Sequence, residues 1–174
     1  TENLSATKVD GEWVGSLADI GLEHLKGYWI NVTQDLEFSY ESSGLLLRNY
    51  SNSLSEFSIQ NVPNNLKYSQ SQIQSFYFVE KVNLIDREIT EEDWLIAYHN
   101  DRIIGARKWF GKYTDVPSMG NDGFHETSEY CNENAEISFK LFKPGTFEYI
   151  DLVGEIPLWR NSNNFIITEL NEKN

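Results

Sequence analysis

The stretch that decides the fold runs from Ile89 to Tyr130 and reads ITEEDWLIAYHNDRIIGARKWFGKYTDVPSMGNDGFHETSEY. Two apolar runs, Trp94–Tyr98 and Ile103–Trp109, lie on either side of the polar segment His99–Arg102. Short runs rich in β-branched and aromatic residues, joined by a polar turn, are typical of a β-hairpin. We therefore predict a hairpin here, followed over residues 111–126 by a long glycine-punctuated loop of the kind that often carries function.

The rest of the chain shows the same alternation of short apolar runs and turn residues. Lys143-Pro144-Gly145 separates two alternating runs and predicts a second hairpin. The other predicted strands are Gly11–Leu17, Gly27–Val32, Leu36–Tyr40, Leu45–Leu47, Phe57–Ile59, Gln74–Val82, Glu136–Phe142, Phe147–Leu152 and Phe165–Thr168. Many short strands with regular turns and little helix indicate an all-β fold. We predict an antiparallel β-sandwich, or two small packed β-modules.

A change in composition near Asn61-Val62-Pro63-Asn64-Asn65 suggests how the chain divides, because proline and repeated asparagine interrupt both strands and helices. We place an N-terminal β-module at residues 1–60 and a C-terminal β-sandwich module at residues 61–174. One continuous unit is the alternative. Since the chain begins at Thr1 without a leader, we expect an exported precursor from which a leader or upstream region was removed.

Charge and composition limit the classes of partner. The net charge is −13, which repels a phosphate backbone, so nucleic acid is not expected as a partner. No stretch approaches the roughly 20 apolar residues of a membrane span, so we expect no membrane insertion. The single cysteine, Cys131, excludes an internal disulfide and is expected to pack as a small apolar residue.

Acidic side chains near the central hairpin offer two kinds of chemistry. Asp93, Asp115 and Asp122 would suit a glycan hydrolase if two of them faced one cleft. Asp115 and Asp122 could instead supply oxygen ligands to calcium, although their spacing is not that of an EF-hand loop. Aspartate also forms turns, as at Asn121-Asp122-Gly123, and turn formation is the simpler interpretation of each residue. The three histidines lack zinc-site spacing, so we predict no metal centre. No G-x-S-x-G motif is present and no serine has a distinctive setting, so we assign no catalytic residue.

Aromatic residues around the same hairpin suggest a contact surface. Five rings near the hairpin could stack on sugar faces or anchor a partner protein if they are exposed: Trp94, Tyr98, Trp109, Phe110 and Tyr113. Arg107 lies among them and could donate a bidentate pair of hydrogen bonds. Aromatics are 14% of the chain, so most rings must be core, and one or two of this set are expected to act in binding.

Two motif series resemble β-modules of large secreted and surface proteins from marine and gliding bacteria. The first is Trp13-Val-Gly-Ser-Leu17 followed by Gly27-Tyr-Trp-Ile-Asn-Val32, which resembles the closing half of a GYW-type module. The second runs through Trp94-Leu-Ile-Ala-Tyr98, Gly105-Ala-Arg-Lys-Trp109 and Asp115-Val-Pro-Ser-Met-Gly-Asn-Asp-Gly123. This resemblance implies an extracellular, modular, all-β protein used for attachment, display or glycan contact. It brings no catalytic residue and no cofactor.

These observations lead to three functional hypotheses. The first is a non-catalytic extracellular or cell-surface β-module with a structural, adhesive or glycan-binding role, whose contact residues are Trp94, Tyr98, Arg107, Trp109, Tyr113, Asp115 and Asp122. The second is a subunit of an appendage, sheath or virion, whose sheet edges contact other protein subunits. The third is the carboxylate-dependent glycan hydrolase.

Overall fold

The computed structural model describes residues 3–22, 28, 30, 32 and 62–174. These residues form eleven strands, one short α-helix and two 3₁₀ turns. The elements are β1 (Thr7–Val9), β2 (Glu12–Val14), α1 (Ser16–Ile20), a 3₁₀ turn (Asn64–Leu66), β3 (Gln74–Val79), β4 (Val82–Asn83), β5 (Trp94–His99), β6 (Arg102–Lys108), β7 (Thr114–Met119), a second 3₁₀ turn (His125–Thr127), β8 (Ser138–Lys143), β9 (Glu148–Val153), β10 (Asn164–Ile167) and β11 (Leu170–Glu172). The predicted all-β class is confirmed. The strands predicted at 36–40, 45–47 and 57–59, and most of 27–32, lie outside the described residues.

Two sheets pack together into a sandwich-like unit, and β1 and β2 form a separate hairpin. The larger sheet has the order β4-β11-β9-β8-β5-β6, and the smaller one has the order β10-β3-β7. The predicted hairpins are present: β5 pairs antiparallel with β6, and β8 pairs antiparallel with β9 across the Pro144-Gly145 turn. Both hairpins form between neighbours in sequence, so turn chemistry and alternation were sufficient to predict them.

One pair of chain segments belongs to both sheets. Strands β3 and β10 are parallel in the smaller sheet, and their continuations β4 and β11 are parallel in the larger one. Backbone bonds bridge the bend, since the Glu80 N–H donates to the Ile167 carbonyl and the Leu170 N–H donates to the Lys81 carbonyl, both at 2.9 Å. Strands that pass from one sheet to the other form the corners of such sandwiches. The sequence did not predict these two parallel pairs, because they join strands that lie far apart in the chain.

The main core lies between the two sheets. Alternate residues of the large sheet, such as Leu95 and Leu141, face Tyr77 and Val116 of the small sheet, and all four are fully buried. The rings of Tyr77 and Phe139 meet edge to face with their centroids 5.7 Å apart. A second apolar cluster covers the outer face of the large sheet, where Leu66 packs with buried side chains of β5, β6 and β8.

Strand β7 corrects the predicted loop over residues 111–126. Its six residues are all buried, and it pairs antiparallel with β3, placing Pro117 opposite Phe76. Proline is tolerated because β7 is an edge strand of the small sheet. The other side of β7 packs against β6, where a Cβ on Gly105 would lie 1.6 Å from the Pro117 carbonyl oxygen. Only glycine permits the two backbones to approach this closely.

No helix in the described part of the chain is both long and apolar enough to cross a bilayer.

Candidate functional site

The two tryptophans of the predicted contact surface are in the interior. Trp94 is 5% exposed and packs in the cluster on the outer face of the large sheet, while Trp109 is 9% exposed and belongs to the main core. Binding through these two rings required them to be exposed, and Trp94 and Trp109 do not meet that condition. Both faces of β5 are covered, one by the small sheet and the other by residues 62–68. The sequence of the hairpin does not show that residues 62–68 pack against it.

Arg107 and Asp115 meet, as part of a buried polar anchor. The Arg107 Nε donates to the Asp115 carbonyl at 2.9 Å, and its Nη2 lies 3.5 Å from Asp115 Oδ2. Arg107 also donates to the backbone carbonyl of Asn3. The Asp115 carboxylate accepts hydrogen bonds from the N–H of Ser5 and of Ser16, both at 3.1 Å, and from the Ser16 hydroxyl at 2.6 Å. These groups hold the N-terminal segment, residues 3–20, against β7.

The charge balance of this anchor explains its burial. Asp115 is fully buried, and the loss of hydration raises the pKa of its carboxyl group, while the Arg107 charge and the Ser16 hydrogen bonds act in the opposite direction. A buried carboxylate that is paired with a cation and accepts several hydrogen bonds has a structural role. The predicted binding roles of Arg107 and Asp115 would require these groups to leave their present partners.

Tyr113 and Asp122 lie in separate environments. Tyr113 is half-buried, with the Lys112 Nζ 4.7 Å from its ring centroid. Asp122 accepts hydrogen bonds from the N–H of Gln72 at 2.9 Å and from the Thr127 hydroxyl at 2.5 Å. The Thr127 bond and then the Gln72 bond lower the pKa of Asp122 to about 2. Asp122 therefore closes its loop as the turn-forming interpretation expects.

The three carboxylates proposed for hydrolysis belong to three different hydrogen-bond networks. Asp93 is buried, 2.7 Å from the Lys143 Nζ, and accepts the Thr90 N–H at 2.8 Å. Asp115 and Asp122 have the partners described above. Within residues 3–22 and 62–174, no group of three or more His, Cys, Asp or Glu side chains is arranged to hold a metal ion. Glycan hydrolysis and calcium binding therefore stay predictions, and Asp93, Asp115 and Asp122 do not share one site.

A different set of side chains forms the most exposed aromatic surface of the large sheet. We call Tyr98, Lys140, Phe147, Tyr149 and Asp151 the aromatic platform. Cross-strand pairing places Trp94, Phe142 and Tyr149 in one row, and Ile96, Lys140 and Asp151 in the next. The platform thus continues the outer face of the large sheet beyond the part that Leu66 covers.

The rings of the platform are held by a buried aromatic residue. Phe142 is 2% exposed, and its ring centroid lies 5.4 Å from that of Phe147 and 4.8 Å from that of Tyr149. Phe147 and Tyr149 themselves are 66% and 39% exposed. Their planes are nearly perpendicular, at 87°. Two exposed rings supported from below present a fixed, angled apolar surface.

Polar groups surround these rings. The Lys140 Nζ lies 2.8 Å from Asp151 Oδ1 and 5.5 Å from the Tyr98 ring centroid. The hydrogen bond from Lys140 lowers the pKa of Asp151. Burial, and then the nearby Tyr149 and Asp151, raise the pKa of Tyr98 to about 12, so its hydroxyl is neutral at physiological pH. The Asn65 side-chain amide donates to the Tyr149 hydroxyl at 2.6 Å.

Of the residues predicted for binding, only Tyr98 belongs to the platform. Phe147 and Tyr149 were missed because the sequence analysis treated them as ordinary members of a strand. A signal was present: Ile150 and Leu152 are the buried phase of β9, which leaves Tyr149 and Asp151 in the outward phase, and Phe147 lies in the turn directly before the strand. Aromatic residues in the polar phase of an amphipathic strand are candidates for binding.

No protein-family model, no curated protein and no solved structure matches this chain. The resemblance to secreted bacterial β-modules therefore stays a prediction from the motifs.

Proposed function

We propose that this chain is a non-catalytic, glycan-binding β-module of an extracellular or surface protein, and that the aromatic platform is its contact surface. The proposal combines the motif resemblance with the exposure of Phe147 and Tyr149. It moves the contact surface from the predicted hairpin loop to the turn and strand of the β8–β9 hairpin.

The observation that carries the proposal is a pair of exposed rings fixed at a right angle by a buried one. An aromatic face packs well against the C–H face of a sugar ring, and rings that are already ordered lose little entropy on binding. The angle between Phe147 and Tyr149 suits two surfaces of one sugar, or two successive sugars, rather than one flat ring.

The polar groups beside the rings favour a neutral glycan over an anionic one. Lys140 is neutralised by Asp151 at 2.8 Å, so the platform carries no uncompensated positive charge that would attract sulfate or carboxylate. Lys140, Asp151 and Tyr98 supply donors and acceptors that can meet sugar hydroxyl groups. The net charge of −13 also opposes acidic polysaccharides.

The test is affinity electrophoresis of the protein in gels that contain neutral polysaccharides, such as glucans, mannans and galactans, followed by calorimetry with oligosaccharides of any that retard it. Replacing Phe147 and Tyr149 with alanine should weaken binding at least about tenfold, since each ring contributes about 0.5–1.5 kcal/mol beyond its buried area.

Trp13→Ala is the matched control, because Trp13 is 66% exposed, as Phe147 is, and lies on the separate β1–β2 hairpin. It should leave glycan binding unchanged. A retarding polysaccharide whose affinity is the same for the double variant and for the unchanged protein would refute the platform as the binding surface. Circular dichroism of each variant establishes that the sandwich is intact.

A further inference from the structure

The outer edge of β10 offers backbone groups for another strand. Among the described residues, β10 pairs only with β3, and it ends the order of the smaller sheet. The carbonyls of Asn163 and Ile167 face β3, since they accept the N–H groups of Phe76 and Glu80 at 3.0 and 2.9 Å. Backbone direction alternates along a strand, so the N–H and C=O of Ile166 point away from β3.

A groove lies beside this edge. It has a volume of about 720 Å³ and runs between the end of β10 and the segment 154–157. Ile156, Pro157 and the 39% exposed Ile166 provide its apolar lining. The N-terminal segment bonds to Asn164 at the other end of β10, through Ser5 and the Ala6 carbonyl, so the groove adjoins the Ile166 end.

The charged residues that line the groove are all acidic. Glu155 and Glu169 line it and are exposed, and none of its eight lining residues is lysine or arginine. With the net charge of −13, this favours a cationic occupant and disfavours a second copy of the chain. Edge strands commonly bind extended peptides through main-chain bonds, with alternate side chains in flanking pockets.

We propose that the β10 edge binds an extended segment of a partner protein in which apolar and basic residues alternate, added as a strand beside Ile166. Its apolar side chains would contact Ile156, Pro157 and Ile166, and its basic side chains would face Glu155 and Glu169. This proposal concerns the small sheet and is independent of glycan binding on the large one.

The test uses a short fluorescent peptide of alternating valine and lysine, titrated with the whole chain and followed by polarisation. A second peptide of the same length, with glutamate in place of each lysine, is the comparison. The affinity of the protein for the lysine peptide should exceed its affinity for this glutamate peptide by at least about tenfold. The reversal variant Glu155→Lys with Glu169→Lys should invert this preference. A lysine peptide with a central proline should lose binding, because proline cannot donate to the added strand.

Non-specific attraction between a basic peptide and an acidic protein is the main competing explanation. The control therefore reverses two other exposed residues, Glu91→Lys with Glu126→Lys, which changes the net charge by the same amount away from the groove. This control should keep the preference for the lysine peptide. In hydrogen exchange, the Ile166 amide should gain protection only with the lysine peptide.

Three outcomes would overturn the proposal: equal effects of the two double variants, equal binding of the proline-containing peptide, or an unprotected Ile166 amide in the peptide complex. Self-association through β10 that displaces the peptide would also overturn it, by assigning the edge to a second copy.

Discussion

Replacing Asp115 with alanine is expected to release the N-terminal segment, residues 3–20, from the sandwich. The carboxylate is fully buried and holds the backbone N–H groups of Ser5 and Ser16, the Ser16 hydroxyl and one side of the Arg107 guanidinium. Alanine leaves the Ser16 N–H without its side-chain acceptor and leaves the Ser5 N–H with the Ser16 hydroxyl oxygen alone, at 3.3 Å. The docked segment would then contain buried donors without partners.

The magnitude follows from these contacts. Leaving a buried N–H without an acceptor costs about 1–3 kcal/mol, and removing one partner of a buried ion pair costs about 3–5 kcal/mol. The contributions overlap because three of the four donors, all except Arg107, lie in the same segment, so we expect a loss of about 3–5 kcal/mol in docking free energy. That is a large part of the roughly 5–15 kcal/mol that stabilises a typical domain.

Hydrogen exchange read residue by residue distinguishes release of the segment from general unfolding. The Leu17 N–H donates to the Ser5 carbonyl at 2.9 Å in the docked segment, so in Asp115→Ala its protection should fall while that of the β5 amides persists. Limited proteolysis should show new cleavage within residues 3–20. Urea denaturation of the same variant gives the loss of global stability.

The matched control is Asp151→Ala, which removes a carboxylate that is 56% exposed and 2.8 Å from the Lys140 Nζ. An exposed pair of this kind contributes about 0–1 kcal/mol, and Leu17 should stay protected. If Asp115→Ala keeps Leu17 protected and costs less than about 1 kcal/mol, Asp115 is not the anchor and the reasoning from burial and donor count is wrong.

Two further perturbations test other parts of the fold. Gly105→Ala should lower the free energy of unfolding by more than about 3 kcal/mol in urea denaturation, because its Cβ would meet the Pro117 carbonyl oxygen. The control is Gly145→Ala, whose Cβ would have no atom within 4 Å and which should cost less than about 1 kcal/mol. Asp122 contributes stability above its ordinary pKa of 3.8 that is lost as the pH falls towards about 2. Asp122→Asn should therefore flatten the decline of the urea midpoint between about pH 5 and pH 2, and an unchanged decline would assign it to other carboxylates.

The sequence predicted the elements that depend on neighbouring residues. The β5–β6 and β8–β9 hairpins were found because alternation and a polar or Pro-Gly turn act over a few positions. Strand β7 was missed because proline and polar residues argue against a buried strand. They fit there because β7 is an edge strand and its Asp115 has partners in the N-terminal segment, far away in the sequence.

The candidate site illustrates the same limit. Trp94 and Tyr149 occupy one cross-strand row, with Phe142 between them, yet Trp94 is buried and Tyr149 is partly exposed. Alternation predicts the face of the sheet on which a side chain lies but not what covers that face. Leu66 covers the row at Trp94, and this contact joins segments that are distant in the chain.

The sequence by itself determined the all-β class and the two hairpins, because local periodicity and turn chemistry are written in consecutive residues. Tertiary structure alone decided the sheet order, the parallel β3–β10 and β4–β11 pairs, the docking of residues 3–20 on Asp115 and the exposure of each aromatic ring. Those features depend on which distant segments meet, and the burial free energy that selects them is a property of the packed chain and not of any short stretch within it.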